Sequence, residues 1–178
     1  MPRLFIGIML PPQDQPELLA LLPDCAQIKP SLPGQLHLTL NFPGAVSEAV
    51  SSALQHSLSN VRSAPFTMVL TGTGVFPQDS GVRGVLWVGV RLSEPLQRLH
   101  AAVTAVVQNA GLPLESRPWS PHITLARYSG GPPEDLQRFL RRGQRVHAEF
   151  VVDAFQLMQS RPGPTGSVYT PLAVFPLN

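Results

Sequence analysis

Two short motifs combine a histidine and a threonine at the same spacing, and they are the strongest candidates for chemistry in this chain. H-L-T-L occupies residues 37–40 and H-I-T-L occupies residues 122–125. On a β-strand, alternate side chains point to the same face, so the histidine and threonine of each motif project together. Each strand would therefore bury its two aliphatic residues and present an imidazole and a hydroxyl on the opposite face.

Two imidazoles and two hydroxyls in one cleft are the groups that cleavage of a cyclic phosphodiester requires. A neutral histidine takes a proton from the attacking water, and a protonated histidine gives a proton to the departing oxygen. Both states are populated near neutral pH, because an unperturbed imidazole titrates near pH ~6.5. The threonine hydroxyls can donate hydrogen bonds to the phosphoryl oxygens. His37, Thr39, His122 and Thr124 are therefore the predicted catalytic residues, and this chemistry needs no metal.

An internal repeat places the two motifs in equivalent halves of the chain. L-F-I-G-I-M-L at residues 4–10 recurs as L-W-V-G-V-R-L at residues 86–92. Each copy is followed by a helical pattern and then by a histidine motif. The strands are offset by 82 residues, from 4 to 86, and the motifs by 85, from 37 to 122. Such self-similarity predicts a duplicated strand–helix–strand unit, whose two copies would bring the motifs face to face about an approximate twofold axis.

A single histidine on a strand is most often structural, and the repeat is what favours a functional interpretation. The other histidines lack a repeated counterpart: His56 and His100 fall in helical patterns, and His147 shares a strand face with Glu149 and Asp153. Zinc sites need three or four ligands, commonly spaced as H-E-x-x-H or C-x-x-C, and neither pattern occurs. The sequences G-x-S-x-G, G-x-x-x-x-G-K-[ST] and G-x-G-x-x-G are also absent, so we predict neither a metal nor a cofactor.

Composition predicts one globular domain over residues 1–178, with 43% hydrophobic and 13% charged residues. No apolar run reaches the roughly 18 residues that a membrane-spanning helix needs. The apolar start ends at Pro11 and Pro12 without a small-residue cleavage site, so we interpret it as a first strand of a cytoplasmic protein. The basic residues are twelve arginines and Lys29, and the net charge of +2 permits an anionic ligand. The densest basic stretch, residues 138–145, is interpreted as a solvated helix face.

Hydrophobic periodicity predicts an α+β protein. Strands are predicted near residues 3–9, 36–42, 66–75, 84–90, 121–127, 146–157 and 168–175. Helices are predicted at residues 14–22, 46–59, 94–110 and 133–142. Ser47 and Ser93 are candidate N-caps, and Gly111 is placed to end the third helix.

These motifs and their flanks resemble the two-histidine phosphoesterases, and in particular the bacterial and archaeal 2′-5′ RNA ligase-like proteins, or RNA 2′,3′-cyclic phosphodiesterases. The most specific part is P-H-I-T-L-A-R at residues 121–127, paired with H-L-T-L-N-F at residues 37–42. The similarity covers nearly the whole chain, with R-L-F-I at 3–6, F-P at 76–77, V-L-W at 85–87, G-S-V-Y at 166–169 and F-P-L at 175–177.

The resemblance implies a bilobal pseudo-twofold fold, with two antiparallel sheets facing each other across a positively charged central cleft and helices outside. It implies hydrolysis of RNA ends or nucleotides that bear a 2′,3′-cyclic phosphate, giving a 2′-phosphomonoester as the 3′-oxygen leaves. By the same resemblance His37 donates a proton to that oxygen and His122 activates water. The reverse reaction, which joins a cyclic end to a 5′-hydroxyl through a 2′-5′ bond, is implied as a side activity.

Contacts with the rest of the substrate are predicted from two further residues. Phe42 is a candidate to stack on the terminal base, with a core position as the alternative. Arg127 lies three residues after Thr124 and therefore on the opposite face of a regular strand, so it reaches the phosphate only if a bulge or strand end redirects it; the alternative is a surface salt bridge. Tyr169 and Ser160 match family positions near the cleft.

Two departures from the family concern substrate contacts, and alternative functions stay open. Pro43 stands in the usual F-L-G segment, and the segment before the Trp87 strand lacks the usual P-R, so Arg83 need not reach the site. A non-catalytic RNA- or nucleotide-binding module on the same fold would bind without hydrolysis. A phosphodiesterase for 2′-5′ oligonucleotides or small cyclic phosphates is the other alternative. We expect a monomer.

Overall fold

The computed structural model describes residues 1–164 and 166–178 as nine strands and four α-helices. The strands are β1 (Arg3–Met9), β2 (Ile28–Pro30), β3 (His37–Ala45), β4 (Phe66–Gln78), β5 (Arg83–Val90), β6 (His122–Ser129), β7 (His147–Val152), β8 (Ala154–Gly163) and β9 (Gly166–Pro176). The helices are α1 (Gln15–Leu19), α2 (Glu48–Leu58), α3 (Glu94–Asn109) and α4 (Leu136–Gly143). The α+β class predicted from periodicity is confirmed.

The strand order shows the duplication directly. The strands follow the path β7-β4-β5-β6-β3-β1-β8-β9, with β2 added to the edge of β6, and the pairs are antiparallel. Outward from the centre, β6, β5, β4 and β7 on one side correspond to β3, β1, β8 and β9 on the other. The two copies of the repeat, β1 and β5, therefore hold equivalent places, each beside a motif strand.

The two predicted sheets are joined into one, which corrects the expectation of separate sheets. Strands β3 and β6 pair directly through Leu38 and Ile123. Both side chains belong to one hydrophobic core and are 1% and 0% exposed, respectively. Because burying these aliphatic side chains brings the motif strands side by side, the two halves meet along their central edges.

Several elements differ from the prediction. The first predicted helix begins with a 3₁₀ turn at Pro12–Asp14, and α1 ends at Leu19. The predicted strand over residues 146–157 is divided at Asp153 into β7 and the start of β8. The short strand β2 was not predicted. It exists because it pairs with the edge of β6 that β3 leaves uncovered, which is a tertiary effect and not a local preference.

The caps of the longer helices agree with the sequence. The Ser47 hydroxyl accepts a hydrogen bond from the Val50 amide at 3.3 Å, which caps α2. Ser93 is the N-cap residue of α3, and its carbonyl accepts the helical bond from Gln97, but its side chain makes no capping hydrogen bond. Gly111 follows α3 with φ of +69°, the left-handed conformation that favours glycine at a helix end. Among the residues that the structure describes, no helix is long and apolar enough to cross a membrane.

Candidate active site

The four predicted catalytic side chains are brought together around the contact between the two motif strands. Leu38 and Ile123 pair in an antiparallel arrangement. Continuing this register by one residue places His37 opposite Thr124, and Thr39 opposite His122. Residues opposite each other on neighbouring strands have Cβ atoms about 5 Å apart, and diagonal neighbours lie about 7–8 Å apart. The two imidazole–hydroxyl pairs therefore lie close together, as predicted. They lie side by side on adjacent strands of one sheet and not on two sheets that face each other.

One cavity of about 450 Å³ contains all four groups. This volume is within the usual range for a small-molecule site. Its walls come from β1, β3, β6, the β2 loop and the β8–β9 hairpin. The lining residues are Phe5, Lys29, Pro30, Ser31, Leu32, Gln35, His37, Thr39, Phe42, His122, Thr124, Arg127, Ser160, Gly166, Ser167 and Tyr169.

Each imidazole is held by the same backbone device. Nδ1 of His37 is 2.7 Å from the carbonyl oxygen of Gln35, and Nδ1 of His122 is 2.8 Å from the carbonyl oxygen of Ser120. Because a carbonyl oxygen can only accept, each Nδ1 carries the hydrogen that it donates. The second nitrogen, Nε2, is then the atom that gains or loses a proton, so both rings are prepared for proton transfer in the same orientation.

Aromatic packing differs between the two imidazoles. His37 stacks on Phe5, with ring centroids 4.5 Å apart, and meets Tyr169 edge-on at 5.2 Å. His122 meets the edge of Phe76 at 4.9 Å, and Trp87 lies 6.2 Å away. Phe5 and Trp87 are the aromatic residues of the internal repeat, so the repeat supplies each histidine with a neighbouring ring.

The surroundings of His37 change its proton affinity. Burial lowers the pKa of His37 below the usual value for an imidazole, and the nearby His122 lowers the pKa further. The hydrogen bond to the Gln35 carbonyl acts in the opposite direction and raises the pKa. Both rings line the same cavity, so a charge on either one acts on the other.

A β-bulge follows the threonine in both motif strands. On β6, Trp87 pairs with Thr124 and Leu86 with Ala126, so Leu125 is an extra residue. On β3, Gly7 pairs with Thr39 and Ile6 with Asn41, so Leu40 is the extra residue. A bulge shifts the alternation of side chains by one position. The residues directly beyond it therefore point to the face opposite to the one that a regular strand would give.

The bulges decide the positions of Arg127 and Phe42. Both lie five residues after their histidine, and both line the cavity. The bulge directs Arg127 into the cleft, which is the first of its two predicted alternatives. The other alternative was a surface salt bridge, and within residues 1–164 and 166–178 Arg127 forms none. Phe42 is 49% exposed, so the alternative of a core aromatic is wrong.

Other substrate-contact candidates have clear outcomes. Tyr169 and Ser160 line the cavity, as the resemblance implied. Arg83 is exposed and paired with Asp79, and it is not among the lining residues. Among the described residues, no group of three or more His, Cys, Asp and Glu side chains is placed to hold a metal ion.

The sequence did not single out the wall formed by β2 and its following loop. Lys29 and Ser31 line the cavity there. The hydroxyl of Ser31 donates to the carbonyl of Thr124 at 3.0 Å, and its amide donates to the carbonyl of Leu125 at 2.8 Å. These bonds fix the loop to the motif strand. The only signal in the sequence was that Lys29 is the single lysine among thirteen basic residues.

Close packing explains why each copy of the repeat has a glycine. A Cβ atom on Gly7 would lie 2.8 Å from the carbonyl oxygen of Leu38 and 3.5 Å from Cδ2 of His37. On Gly89, the equivalent residue, it would lie 2.6 Å from the carbonyl oxygen of Thr71. Any larger residue would push the neighbouring strand away. The glycine thus allows the close approach that sets the position of His37.

Comparison with known proteins agrees with this geometry. The family model of the 2′-5′ RNA ligase superfamily matches residues 11–164. The chain belongs to this superfamily. The predicted resemblance is thereby confirmed. The matched residues of this 2′-5′ RNA ligase superfamily member include both histidine motifs and the β2 loop.

Relatives and solved structures of the superfamily cover nearly the whole chain. The chain is 33% identical to the RNA 2′,3′-cyclic phosphodiesterase of Thermus thermophilus, over 98% of this chain and 90% of that protein. It is 28% identical to the protein of the same name from Archaeoglobus fulgidus, over 97% and 99%. The structure superposes on E. coli LigT complexed with 3′-AMP with a TM-score of 0.79 and 26% identity, over 100% and 99%. TT0787 of Thermus thermophilus gives a TM-score of 0.78 at 33% identity, over 98% and 97%.

Proposed function

We propose that this protein is an RNA 2′,3′-cyclic phosphodiesterase that works by metal-independent acid–base catalysis. The observation that carries the proposal is the arrangement of His37, Thr39, His122 and Thr124 around one strand contact, in one cavity. The relatives named RNA 2′,3′-cyclic phosphodiesterase support the same reaction.

The reaction needs two proton transfers, and each histidine carries out one of them. Water attacks the phosphorus atom of the cyclic phosphate, and Nε2 of His122 takes a proton from it. The bond between phosphorus and the 3′-oxygen breaks, and Nε2 of His37 gives its proton to that oxygen. The products are a 3′-hydroxyl and a 2′-phosphomonoester, and proton exchange between the histidines and solvent restores the starting state. Each transfer contributes a factor of about 10²–10⁴ to the rate.

The threonine hydroxyls stabilise the negative charge that develops on the phosphoryl oxygens. Negative charge increases on the non-bridging oxygens as water attacks, and fixed hydrogen-bond donors at those positions lower the barrier. Thr39 and Thr124 lie on the cleft face of their strands, each opposite the histidine of the other motif. Each half therefore supplies one proton-transfer group and one donor to the same phosphate.

The lowered pKa of His37 is compatible with its role as proton donor. Burial favours the neutral ring in the free protein. A bound cyclic phosphate carries a negative charge, and an anion within hydrogen-bond distance favours the protonated imidazole. Substrate binding therefore offsets the effect of burial and promotes the protonated form at the moment when it is needed.

The pH dependence should follow from the same shift. We expect kcat/KM to be bell-shaped, with its acidic limb below pH ~6.5, the value for an ordinary imidazole. The acidic limb marks the pH below which both rings are protonated and no base remains. Because the pKa of His37 is lowered, this limb moves to lower pH. An NMR titration of the ring protons, assigned with His37→Gln, measures the pKa directly. A His37 pKa at or above the ordinary value would contradict this explanation.

The terminal nucleoside has an aromatic surface available beside the catalytic groups. Phe42 is exposed at the cavity wall, and Tyr169 lines the same cavity beside His37. Stacking on aromatic side chains is a common way to bind an unpaired base, and it tolerates different base identities. We therefore assign the base to Phe42 and the cyclic phosphate to the histidines and threonines.

The activity can be tested with adenosine 2′,3′-cyclic phosphate in excess EDTA. We expect turnover, with phosphorus NMR showing the 2′-phosphate as the product and with the same rate in the presence and absence of chelator. The protein with both histidines replaced by alanine controls for contaminating nucleases. Absence of turnover, or formation of the 3′-phosphate, would disprove the proposed reaction; loss of activity with EDTA would disprove its metal independence.

A further inference from the structure

Trp119 connects the two histidine motifs. Its indole N–H donates a hydrogen bond to the carbonyl oxygen of Thr39 at 3.1 Å, although the two residues are 80 positions apart in the chain. The next residue, Ser120, provides the carbonyl that accepts from Nδ1 of His122 at 2.8 Å. The same short segment therefore binds the first motif through a side chain and holds the imidazole of the second motif through its backbone.

The hydrogen bond lies where the two motif strands stop pairing. Within the described residues, the pairing of β3 with β6 is confined to Leu38 and Ile123. Thr39 is the next residue of β3, and the bulge at Leu40 follows it directly. A partly buried carbonyl at such a break in the strand pairing needs another partner. The indole N–H is that partner, so Trp119 extends the connection between the motif strands by one residue.

The ring of Trp119 is itself held in a fixed orientation. The imidazole of His100, on α3, stacks on the indole with ring centroids 3.8 Å apart and an angle of 4° between the planes. Burial lowers the pKa of His100 below the usual value for an imidazole, which favours the neutral ring. Helix α3 is attached to β3 in turn, because the amide of Asn41 donates to the hydroxyl of Thr104 at 2.9 Å. The stacked pair therefore rests on a helix that is bonded to the first motif strand.

We propose that Trp119, with its ring held by His100, is a positioning residue that fixes the Thr39 hydroxyl relative to His122. This inference rests on the proposed function, in which both groups act on one phosphate. A displacement of about 1 Å between reacting groups can lower a rate by about 10²-fold. Trp119 lies outside the lining of the cavity, so it acts through Thr39 and not on the substrate.

Trp119→Phe tests this role, because phenylalanine keeps an aromatic ring and removes the N–H. We expect kcat for adenosine 2′,3′-cyclic phosphate to fall about fivefold, the effect of one net hydrogen bond, and KM to change less than about twofold. Thermal denaturation shows whether the variant folds. A folded Trp119→Phe protein with normal kcat would overturn the inference.

A double-variant comparison shows whether the effect passes through Thr39. In the Thr39→Val background the hydroxyl is absent, so adding Trp119→Phe should change kcat less than about twofold. In the Thr124→Val background the Thr39 hydroxyl remains, and the same addition should again lower kcat about fivefold. A general loss of structural order would instead lower kcat equally in both backgrounds, and that result would overturn the inference.

The stacking partner provides the test if Trp119→Phe does not fold. His100→Ala removes the ring that holds the indole, and it should lower kcat in the Thr124→Val background and not in the Thr39→Val background. His100→Phe keeps a flat ring and should restore kcat. The same loss in both backgrounds, or no loss in either, would overturn the inference.

The outcomes separate this inference from the proposed function. Turnover by the unmodified protein without the expected dependence on Thr39 would overturn the positioning role alone. If the unmodified protein turns over no cyclic phosphate, the reaction fails, and calorimetry with inorganic phosphate replaces the rate measurement. Trp119→Phe should then weaken phosphate binding in the Thr124→Val background and not in the Thr39→Val background. Equal binding changes in both backgrounds would overturn the positioning role as well.

Discussion

Replacing either His37 or His122 by alanine is expected to lower kcat/KM for a 2′,3′-cyclic nucleotide by about 10²- to 10⁴-fold. Each ring is held by a carbonyl at Nδ1 and presents Nε2 for proton transfer, so alanine removes the group that transfers the proton. Initial rates with adenosine 2′,3′-cyclic phosphate measure the effect. His56→Ala and His147→Ala, which remove exposed imidazoles on α2 and β7, are the controls and should retain full activity.

A substrate with a better leaving group should separate the two histidines. When sulfur replaces the 3′-oxygen of the cyclic phosphate, the departing thiolate needs no proton. His37→Ala should then recover most of its lost rate on the sulfur substrate, whereas His122→Ala should stay inactive, because water still needs a base. Recovery in His122→Ala and not in His37→Ala would reverse the assignment. Full activity of either variant on the natural substrate would remove that residue from the mechanism.

Replacing either threonine by valine is expected to lower kcat by about 10²-fold, comparable to the loss of one oxyanion-hole donor. Valine keeps the shape and strand preference of Thr39 or Thr124 and removes only the hydroxyl. Because the hydrogen bond strengthens in the transition state, KM should change much less than kcat. Steady-state kinetics with adenosine 2′,3′-cyclic phosphate separate these two parameters.

Two control variants test whether the hydroxyl is the cause. Thr39→Ser and Thr124→Ser keep a donor and should recover most of the activity. Thr67→Val, at an exposed position of β4, should have no effect. A threonine-to-valine variant with normal kcat would show that the hydroxyl does not face the phosphate. A rise in KM at constant kcat would indicate that the hydroxyl binds the substrate and the transition state equally, which contradicts the prediction.

The catalytic groups could be predicted from the sequence because their signal is local and repeated. The spacing of histidine and threonine follows from the alternation of a strand, and the repeat of L-x-x-G-x-x-L relates the two copies. His37 and His122 therefore emerged without knowledge of the fold. The carbonyl partners of their rings also lie close by in sequence, two residues before each histidine.

The wall that faces the substrate could not be predicted in the same way. The three residues of β2 include Pro30 and show no strand periodicity, and they become a strand only because the edge of β6 is available. Lys29 consequently had no assigned place. The bulge at Leu125 determines which face of the strand the Arg127 side chain points to. A bulge needs no particular residue type, so the sequence pattern did not reveal it. These features arise from strand pairing over long sequence separations.

The extra residues Leu40 and Leu125 also limit how this chain can evolve. Deleting either one would turn Phe42 or Arg127 toward the core and move buried neighbours into solvent, because side-chain direction reverses with each residue of register. Substitutions at Phe42 and Arg127 keep this register, whereas a change in chain length between the histidine and the fifth residue after it would turn these side chains away from the cavity.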